Sequence, residues 1–449
     1  MTTELTIAKF GGTSVATYET MQNCARVVAD NPSTRIVVVS ASAGVTNLLV
    51  DLAHNAMTQD QIEEKYQAIV AIEYAILNKL DVDESVKTKL SDLLDELKTL
   101  AFHEEILHRV DLKDQLLSMG ERMSSLLFSE VLAELGVNTI NFDVRKVLRT
   151  DDVHGAAAPQ IDDIARLAES LLRPEIKDSV VITQGFVGAT EQGKTTTLGR
   201  GGSDFTAALL AEALGAQACE IWTDVIGVYT TDPRITDAAR PLPELSFEEA
   251  AEMATFGAKV LHPATMEPAL RKNIKVFVGS SKEPEKGGTW IVKDCEHEPP
   301  YRAITRRKEQ VMVTVKTPKM MYAQGFLQQV FAIIAKHKLS VDLVTTSEIS
   351  VSFTLDNPAN SVAERLNKQT LEELETICDV KVEQGFDLVT VVGNHMHSSV
   401  GVSSKIFAAV ADYNLRMICF GANPHNLSFL VNENNSTEIV KQLHAELFE

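Results

Sequence analysis

Short apolar runs alternate with longer amphipathic stretches over the first two thirds of the chain. Runs that end in a Gly-, Ser- or Asp-containing turn predict strands at 5–10, 35–40, 180–186, 220–223 and 275–278. Helical periodicity lies between them, at 18–29, 59–80, 84–107, 113–135, 161–172, 204–214 and 247–256. Strands separated by helices pair in parallel. The pattern therefore predicts an α/β fold, an open, mostly parallel sheet with helices on both faces, and 59–135 as a helical excursion.

The C-terminal third has a different order of elements. Residues 282–300 are rich in Pro, Gly and charge and indicate a linker or domain edge, in which TWIV could form a short strand. Beyond them the pattern predicts strand 311–317, helix 324–337, strands 340–345 and 349–355, helix 361–375 and strand 379–384. This is the βαββαβ order of ferredoxin-like domains.

The same third contains an internal repeat. Residues 330–355 align without a gap on 406–431 at a constant offset of 76, with six identical pairs. The second copy ends on a helix and lacks a final strand. Residues 301–307, just before the first copy, could supply that strand, and the two repeats would then be interleaved.

Composition narrows the class of protein. The 449 residues, enough for about three domains, carry a formal net charge of −20, which argues against a general binder of nucleic acid or anionic membranes. No run approaches the roughly 18 apolar residues of a membrane span, and the N-terminus lacks the basic region of a secretory signal. Five widely spaced cysteines, in no CxxC pairing, indicate free thiols in a reducing cytoplasm.

The segment KFGGTS, 9–14, directly follows the first predicted strand. Gly11 and Gly12 allow the backbone to approach an anion closely, and Lys9 can bridge phosphates as a point charge. Turn formation and a phosphate cradle explain this segment equally well. A second segment, SASAGVTN at 40–47, offers hydroxyls that could contact a polar substrate, although capping of the next helix is the simpler explanation.

The segment TTTLGRGGSD, 195–204, is richer in small and polar residues than a tight turn requires. Arg200 can hold a carboxylate in a bidentate clamp, whereas Ser203 and Asp204 are placed as candidate N-caps. Just upstream, 188–195 fits the pattern of a phosphate-binding P-loop. No helix is predicted at its Lys-Thr, so we interpret it as a hairpin tip.

A third region, 222–234, ends a strand in Thr-Asp and then presents Tyr229 and Arg234, which suit a nucleotide's ring and phosphates; a generic loop is the alternative. Lys259, in FGAKVLHPA, adds another cation near a predicted helix end. No metal site is predicted: His103 and His108 are five residues apart and cannot share a metal on one helix face, and the 395–397 histidines lack partner ligands.

Together with SMGERMS at 118–124 and FGAKVLHPA at 256–264, these segments resemble the motifs of the aspartate kinases in the amino-acid kinase family. The resemblance covers almost the whole chain, includes two C-terminal ACT-type repeats, and is strongest to monofunctional, lysine-sensitive members. It implies a catalytic domain at 1–293, a linker with the edge strand of the second repeat at 294–310, and ACT repeats at 311–384 and 385–449.

The resemblance implies transfer of the ATP γ-phosphate to the side-chain carboxylate of L-aspartate, the first step toward lysine, threonine and methionine. Mg²⁺ would be carried with the nucleotide. The implied catalytic residues are Lys9 and Asp204. The implied aspartate ligands are Thr46, Glu121, Arg200 and Ser203. The implied ATP ligands are Lys9, Gly11, Gly12, Thr223, Asp224, Tyr229, Arg234 and Lys259. A carboxylate is already ionised at pH 7, so this chemistry needs positioning and charge neutralisation but no general base.

The resemblance also implies feedback inhibition by L-lysine and a homodimer formed through the ACT repeats, with a tetramer as the alternative in the inhibited state. The implied lysine pocket comprises Met320, Phe326, Leu327, Ser340, Val341, Asp342, Ser347 and Glu348, and Ala323 stands where the family has a serine. At the repeat offset, Asp342 and Glu348 face Ile418 and Pro424. Only the first repeat keeps both carboxylates, so it is the one expected to bind a cationic amino acid.

Two other classes of function remain open. One is a sister amino-acid kinase, acting on glutamate or answering to threonine, because an arginine and a glutamate recognise any α-amino acid. The other is a kinase-like sensor that binds an amino acid without catalysis. The presence of Lys9, Arg200 and Asp204 argues against the sensor.

Overall fold

The computed structural model describes residues 4–258, 261, 263–321, 324–355 and 366–449, which form two compact units. The first comprises Met1–Val228, Pro241–Phe247 and Lys259–Cys295, and the second comprises Tyr229–Arg240, Glu248–Ala258 and Glu296–Glu449. Two segments of the N-terminal part of the sequence therefore belong to the C-terminal unit. The domain boundaries drawn from the sequence stay predictions.

The first unit is built on an eight-stranded sheet in the order β3-β4-β2-β1-β7-β9-β10-β8. Its strands are β1 (Thr6–Phe10), β2 (Thr34–Val39), β3 (Thr139–Phe142), β4 (Val180–Gln184), β7 (Ala218–Thr223), β8 (Glu244–Ser246), β9 (Lys275–Ser280) and β10 (Gly288–Val292). Every described pair is parallel except β9 with β10. The predicted mostly parallel α/β sheet is confirmed.

The sequence pattern missed two short strands of this sheet, β3 and β8. They have four and three residues, too few for a run of apolar positions to stand out. The TWIV segment lies within β10. The predicted hairpin is also confirmed, since β5 (Val187–Ala189) pairs antiparallel with β6 (Thr195–Thr197) and no helix begins between them.

The helices of this unit include one long helix that is largely buried. They are α1 (Tyr18–Asp30), α2 (Val45–His54), α3 (Gln59–Leu77), α4 (Glu84–Ala101), α5 (Val110–Ala133), α6 (Ile161–Leu167), α7 (Gly202–Leu214) and α9 (Pro263–Lys272), with α8 (Phe247–Thr255) entering the second unit after its first residue. Helix α5 is buried on most of its surface because it lies among α1–α4 and the strands β2, β3 and β4. No helix among the described residues is long and apolar enough to cross a membrane.

The second unit contains a six-stranded antiparallel sheet in the order β12-β13-β11-β14-β16-β15. Its strands are β11 (Ala303–Lys316), β12 (Val341–Thr346), β13 (Ser350–Leu355), β14 (Asp379–Val392), β15 (Met417–Phe420) and β16 (Asn426–Asn432), and its helices are α10 (Phe326–Lys336), α11 (Lys368–Glu375), α12 (Val402–Ala409) and α13 (Ser436–Phe448). Positions 361–365 of the predicted helix 361–375 lie outside the described residues.

The repeat in the sequence corresponds to a repeat in this sheet. Strands β11 and β14 both have 14 residues, start 76 positions apart, and pair antiparallel from Ala303↔Val392 to Lys316↔Asp379. Residues 303–307 thus lie beside 388–392, the pairing that interleaved repeats require. The positive φ of Glu309 recurs at the equivalent Gly385.

A side-chain hydrogen bond of the first repeat recurs 76 positions later in the second. Thr314 and Ser352 hydroxyls lie 2.9 Å apart, and those of the equivalent Thr390 and Ser428 lie 2.8 Å apart. Each bond joins neighbouring strands within one repeat. The two copies therefore share polar detail as well as element order.

Buried polar contacts hold segments 229–240 and 248–258 within the second unit, although both come from earlier in the sequence. The Thr230 carbonyl accepts the Ile304 N–H at 2.7 Å, and the Thr230 hydroxyl lies 2.9 Å from His444 Nε2. In the other segment, the fully buried carboxylate of Glu249 accepts from Arg302 Nε at 2.6 Å. These contacts fix segments 229–240 and 248–258 to the antiparallel sheet.

Candidate functional site

The candidate catalytic residues lie at one edge of the parallel sheet. Strands β4, β2, β1 and β7 are parallel neighbours, so their carboxyl ends meet at the same edge. The loops that follow them carry the segments after Phe10, Val39, Gln184 and Trp222. Ligands of open α/β sheets bind at such an edge.

An ion pair joins two of the predicted catalytic residues. Lys9, in the central strand β1, places Nζ 2.6 Å from Asp204 Oδ1, and both side chains are largely buried. Asp204 is in the first turn of α7, whose N-cap is Gly201 with φ of 71°. The N-cap explanation for Ser203 and Asp204 is therefore wrong. The carboxylate instead fixes the lysine.

The KFGGTS turn packs tightly against its neighbours. A Cβ at Gly12 would lie 2.8 Å from the Ala41 carbonyl oxygen, so only glycine fits there. The Gly12 carbonyl accepts the Ala43 N–H at 3.1 Å, and the Gly11 N–H donates to the Trp222 carbonyl at 3.1 Å. The turn explanation is thus established by geometry, and contact of these glycines with phosphate stays a prediction.

The hydroxyls of the SASAGVTN segment do not cap helix α2. Its N-cap is Gly44, with φ of 91° and no side-chain hydrogen bond to the helix. Thr46 lies exposed in the first turn, whereas Ser42 is fully buried. The capping explanation is wrong here too, and Thr46 is accessible to a ligand.

Helix α5 brings Glu121 to the same region. A Cβ at Gly120 would lie 2.6 Å from Ala41 Cβ, so this glycine allows close approach of the helix to the 40–44 loop. Glu121 is 5% exposed. Burial raises the pKa of Glu121 to about 8, and the Ala41 N–H and the charge of Lys9 oppose this rise. The carboxylate therefore lies close to Lys9 of the KFGGTS segment and to Ala41 of the SASAGVTN segment.

Sequence reasoning missed a second buried carboxyl group, Glu73. It lies on α3 with no exposed surface, and burial raises its pKa to about 8; the nearby Ser42 hydroxyl opposes this rise and the charge of Glu121 reinforces it. Its position on the apolar face of α3, with Tyr66, Ile69 and Ile76, was a signal that the sequence offered. A glutamate in such a stripe is rarely buried without a role.

Arg200 lies in a loop with glycine on both sides. Gly199 and Gly201 have φ of 77° and 71°, and the Arg200 side chain is exposed, with no ion pair or hydrogen bond to another described residue. Ser203 packs against the backbone after β4, since a Cβ at Gly185 would lie 2.5 Å from Ser203 Cβ. The guanidinium is therefore available to an external carboxylate.

The three threonines before this loop each bind a different partner. The Thr195 hydroxyl accepts from Arg145 Nη1 at 3.0 Å, and Thr196 Oγ1 lies 2.7 Å from Thr150 Oγ1. Thr197 Oγ1 donates to Asp114 Oδ1 at 2.6 Å. The density of hydroxyls in TTTLGRGGSD thus serves to fasten β6 to its surroundings.

The predicted ATP ligands are divided between the units. Thr223 ends β7, where its carbonyl accepts the Ser281 N–H at 2.9 Å and its hydroxyl donates to the exposed Asp224 at 3.2 Å. Tyr229 and Arg234 belong to the second unit. Arg234 is exposed and paired with Asp232, its Nη2 2.7 Å from Oδ2. Lys259 lies outside the described residues.

The predicted lysine pocket divides into two groups. Met320, Phe326 and Val341 share the first repeat's apolar core, with Leu327, Ser340 and Asp342 adjacent to them in the sequence. Ser347 and Glu348 lie exposed in the turn beyond the far end of β12, whose six residues span about 17 Å at ~3.3 Å per residue.

A carboxylate of this predicted pocket already has a cationic partner in the chain. Asp342 Oδ2 lies 2.7 Å from Arg307 Nη2, and both side chains are mostly buried. Arg307 Nη1 also donates to the Thr255 carbonyl at 3.4 Å. Ala323, where the family pattern has a serine, lies outside the described residues.

Within the described ranges no group of three or more His, Cys, Asp or Glu side chains is arranged to hold a metal.

Comparison with known proteins gives matches to two family models and to relatives that align with almost the whole chain. A model of the amino acid kinase family matches residues 4–280, and an ACT domain model matches 389–447. Lysine-sensitive aspartokinase 3 of Escherichia coli (strain K12) is 48% identical over 448 residues, covering 99% of this chain and 100% of that protein. Chloroplastic aspartokinase 1 of Arabidopsis thaliana is 36% identical over 461 residues, covering 99% and 80%.

Two solved structures of E. coli aspartokinase III resemble this one over 99% of this chain and 100% of theirs. The complex with aspartate and ADP, described as the R-state, has a TM-score of 0.89. The complex with lysine and aspartate, described as the T-state, has a TM-score of 0.86. Both chains are 48% identical to this one.

Proposed function

The chain belongs to the amino acid kinase family, and on that premise we propose that it is a lysine-inhibited aspartate kinase. It transfers the γ-phosphate of ATP to the side-chain carboxylate of L-aspartate and yields 4-phospho-L-aspartate. The observation that carries the proposal is the Lys9–Asp204 ion pair at the carboxyl end of the central parallel strand. We infer that the phosphoryl group and the aspartate carboxylate, two anions, meet beside this fixed cation.

The reaction needs little covalent assistance from the protein. The attacking carboxylate of aspartate is ionised at neutral pH, so the difficulty is its repulsion from the triphosphate. Lys9 neutralises the transferring phosphoryl group, and Asp204 holds the ammonium in place. Mg²⁺ bound to the phosphates of ATP would supply further charge neutralisation.

Recognition of an α-amino acid requires an anion for its ammonium and a cation for its carboxylate. Glu121 is the buried carboxyl group that serves as the anion once ionised, and it lies close enough to Lys9 for that charge to oppose the rise of its pKa. Arg200, exposed between two glycines, is the cation that forms a bidentate pair with the α-carboxylate. Thr46 and Ser203 supply hydroxyls. Thr223, Asp224, Tyr229, Arg234 and Lys259 are proposed to bind the nucleotide.

Inhibition by lysine is assigned to the first ACT repeat, since Asp342 and Glu348 have no acidic counterpart in the second. Within one chain the two groups of pocket residues lie at opposite ends of β12, farther apart than an extended lysine can span. A second copy of the chain can bring a Ser347–Glu348 turn to the Asp342 end. The proposal therefore includes a homodimer through the ACT repeats, with lysine bound between copies.

The proposed cellular setting is the cytosol, at the start of lysine, threonine and methionine synthesis. The cytosolic setting is supported by the five cysteines, none of which forms a disulfide bond in the part of the chain that the structure describes.

A hydroxylamine trap tests both parts of the proposal. Protein, MgATP and L-aspartate should give aspartyl hydroxamate, and millimolar lysine should suppress it. No hydroxamate from aspartate would exclude the proposed kinase: product from glutamate alone would indicate a sister kinase, and no product from either would favour a sensor. Glu348→Ala should lose lysine inhibition while keeping activity. Hydroxamate that lysine leaves unchanged would reassign the effector.

A further inference from the structure

The buried side chain of Asp114 binds residues of two other segments, and no catalytic or ligand-binding role has been assigned to it above. It lies on α5 and is 1% exposed. Its Oδ1 accepts the Thr197 hydroxyl at 2.6 Å. Its Oδ2 lies 2.7 Å from His154 Nδ1 and accepts the Gly155 N–H at 3.1 Å. One carboxylate thus joins α5, strand β6 and the loop at 154–155.

These partners flank the loop that carries Arg200. Thr197 is the last residue of β6, and only Leu198 and Gly199 separate it from Arg200. On the other side, a Cβ at Gly199 would lie 3.5 Å from the Gly155 carbonyl oxygen, so the 154–155 loop packs against Gly199. The Ala157 N–H donates to the Thr197 carbonyl at 2.9 Å and closes the contact.

The loop itself has little intrinsic stiffness. Glycine on both sides of Arg200, each with positive φ, leaves its backbone conformationally free unless neighbouring residues restrain it. Arg200 has no partner among the described residues to hold its side chain. The restraint comes from Thr197, from Leu198, whose N–H donates to the Phe186 carbonyl at 2.9 Å, and from the start of helix α7, where the Gly202 N–H donates to the Gly199 carbonyl at 3.1 Å.

The same helix face carries Asp114 and Glu121. They are seven residues apart, which is two helical turns and about 10 Å along the axis. Asp114 thus fixes the Arg200 loop to the helix that presents Glu121. An α-amino acid bound between Arg200 and Glu121 needs their separation to be set, because misplacement by about 1 Å can cost up to 100-fold.

We propose that Asp114 is a positioning residue for aspartate, which sets the distance between Arg200 and Glu121 through its bonds to Thr197 and the 154–155 loop. This inference rests on the proposed function, because it takes Arg200 and Glu121 to bind the substrate's carboxylate and ammonium. Asp114 does not touch substrate. Its loss should weaken aspartate binding and leave ATP binding unchanged.

The sharpest test removes the hydrogen-bond donor of Thr197 and keeps the shape of the side chain. Thr197→Val removes the hydroxyl that binds Asp114, and Thr197→Ser restores a hydroxyl. Thr196→Val is the matched control, since Thr196 is equally buried on the same strand and binds Thr150 instead of α5. Asp114→Asn weakens the same hydrogen bonds from the side of the acceptor. Each full-length variant is assayed for KM of aspartate, KM of ATP, kcat and thermal midpoint.

Thr197→Val and Asp114→Asn are expected to raise the KM for aspartate about tenfold or more, with the KM for ATP within twofold. Thr197→Ser and Thr196→Val should stay near the wild-type KM. A fall in thermal midpoint without a change in aspartate KM would show a structural role only and overturn the inference. An equal rise in aspartate KM for Thr196→Val would also overturn it.

Arg200→Lys separates failure of this inference from failure of the proposed function. If Arg200→Lys raises the aspartate KM and Thr197→Val does not, the positioning role is wrong and the substrate assignment stands. If Arg200→Lys leaves the aspartate KM unchanged, Arg200 does not bind substrate, and both the assignment and the inference are wrong.

Discussion

The ammonium of Lys9 and the carboxylate of Asp204 lie 2.6 Å apart and join the central strand of the parallel sheet to the first turn of α7. We expect Lys9→Met to lower kcat by a factor on the order of 10² to 10³ with a smaller change in either KM, because the cation acts on charge developed during transfer. Steady-state kinetics check this. Lys65→Met, which breaks the pair with Asp51 at 2.7 Å in the same unit, is the control and should be nearly silent.

Glu121 should give aspartate binding a pH dependence. Burial raises its pKa to about 8, so the free enzyme holds it protonated at lower pH, and the substrate's ammonium requires the ionised form. The value of kcat/KM for aspartate should therefore rise from pH 6 to 8 and level off above that range. Glu121→Gln should have a low, flat profile over the same range. A wild-type profile that falls with rising pH would contradict this assignment.

Glu73 should make the folded protein less stable as pH rises. Its pKa is about 8 in the folded state and ~4.3 in a model peptide, so the folded state binds more protons between these values. Stability is full below the unfolded pKa and is lost as pH rises toward 8. Glu73→Gln should raise the thermal midpoint at pH 8 and give no gain at pH 4. The exposed Glu64→Gln on the same helix should leave the pH profile unchanged.

Gly120 should not accept a side chain. A Cβ there would lie 2.6 Å from Ala41 Cβ and 3.2 Å from Leu49 Cδ1. Gly120→Ala should cost about 1–3 kcal/mol of stability through overpacking and raise the KM for aspartate, because Glu121 follows directly. The double variant Gly120→Ala with Ala41→Gly removes one of the clashing methyl groups and should recover much of the loss. Denaturant unfolding and kinetics measure both effects.

Arg307 should compete with lysine for Asp342. The two side chains are 2.7 Å apart in the structure, so an effector's ammonium must share or displace that guanidinium. Asp342→Asn should raise the half-inhibitory lysine concentration at least tenfold, and Arg307→Met should lower it. Arg416→Met, which breaks the Arg416–Glu383 pair of the same sheet, is the matched control. Weaker inhibition in Arg307→Met would contradict competition and indicate that the arginine helps to bind or transmit.

The motifs indicated one candidate region, because the parallel strands β4, β2, β1 and β7 bring their carboxyl ends to the same edge. The roles of Lys9, Glu121 and Asp204 were implied by the resemblance to the aspartate kinases and stay predictions. The side-chain partners of these residues could not be predicted from the sequence. The pairing of Asp204 with Lys9 in place of a helix cap depends on where α7 begins, and a single glycine with positive φ decides that.

Glu73 and Asp114 are two buried carboxyl groups that the sequence analysis did not select. Each is an isolated carboxyl group on a helix, and helical periodicity alone cannot distinguish a polar residue that faces solvent from one enclosed by a neighbouring loop. Glu73 is enclosed near Ser42 and Glu121, and Asp114 is enclosed by Thr197 and His154, which lie 83 and 40 positions away. Contacts at such separations are a property of the assembled layers.

The sequence by itself determined the α/β sheet, the antiparallel repeats and their offset of 76, because hydrophobic period and repeated residues are local features that survive folding unchanged. Only the tertiary structure decided which segments belong together in space. It placed 229–240 and 248–258 with the ACT repeats, held there by Thr230, Glu249 and their buried partners. Such membership is set by burial and hydrogen bonding between distant segments, which no local pattern records.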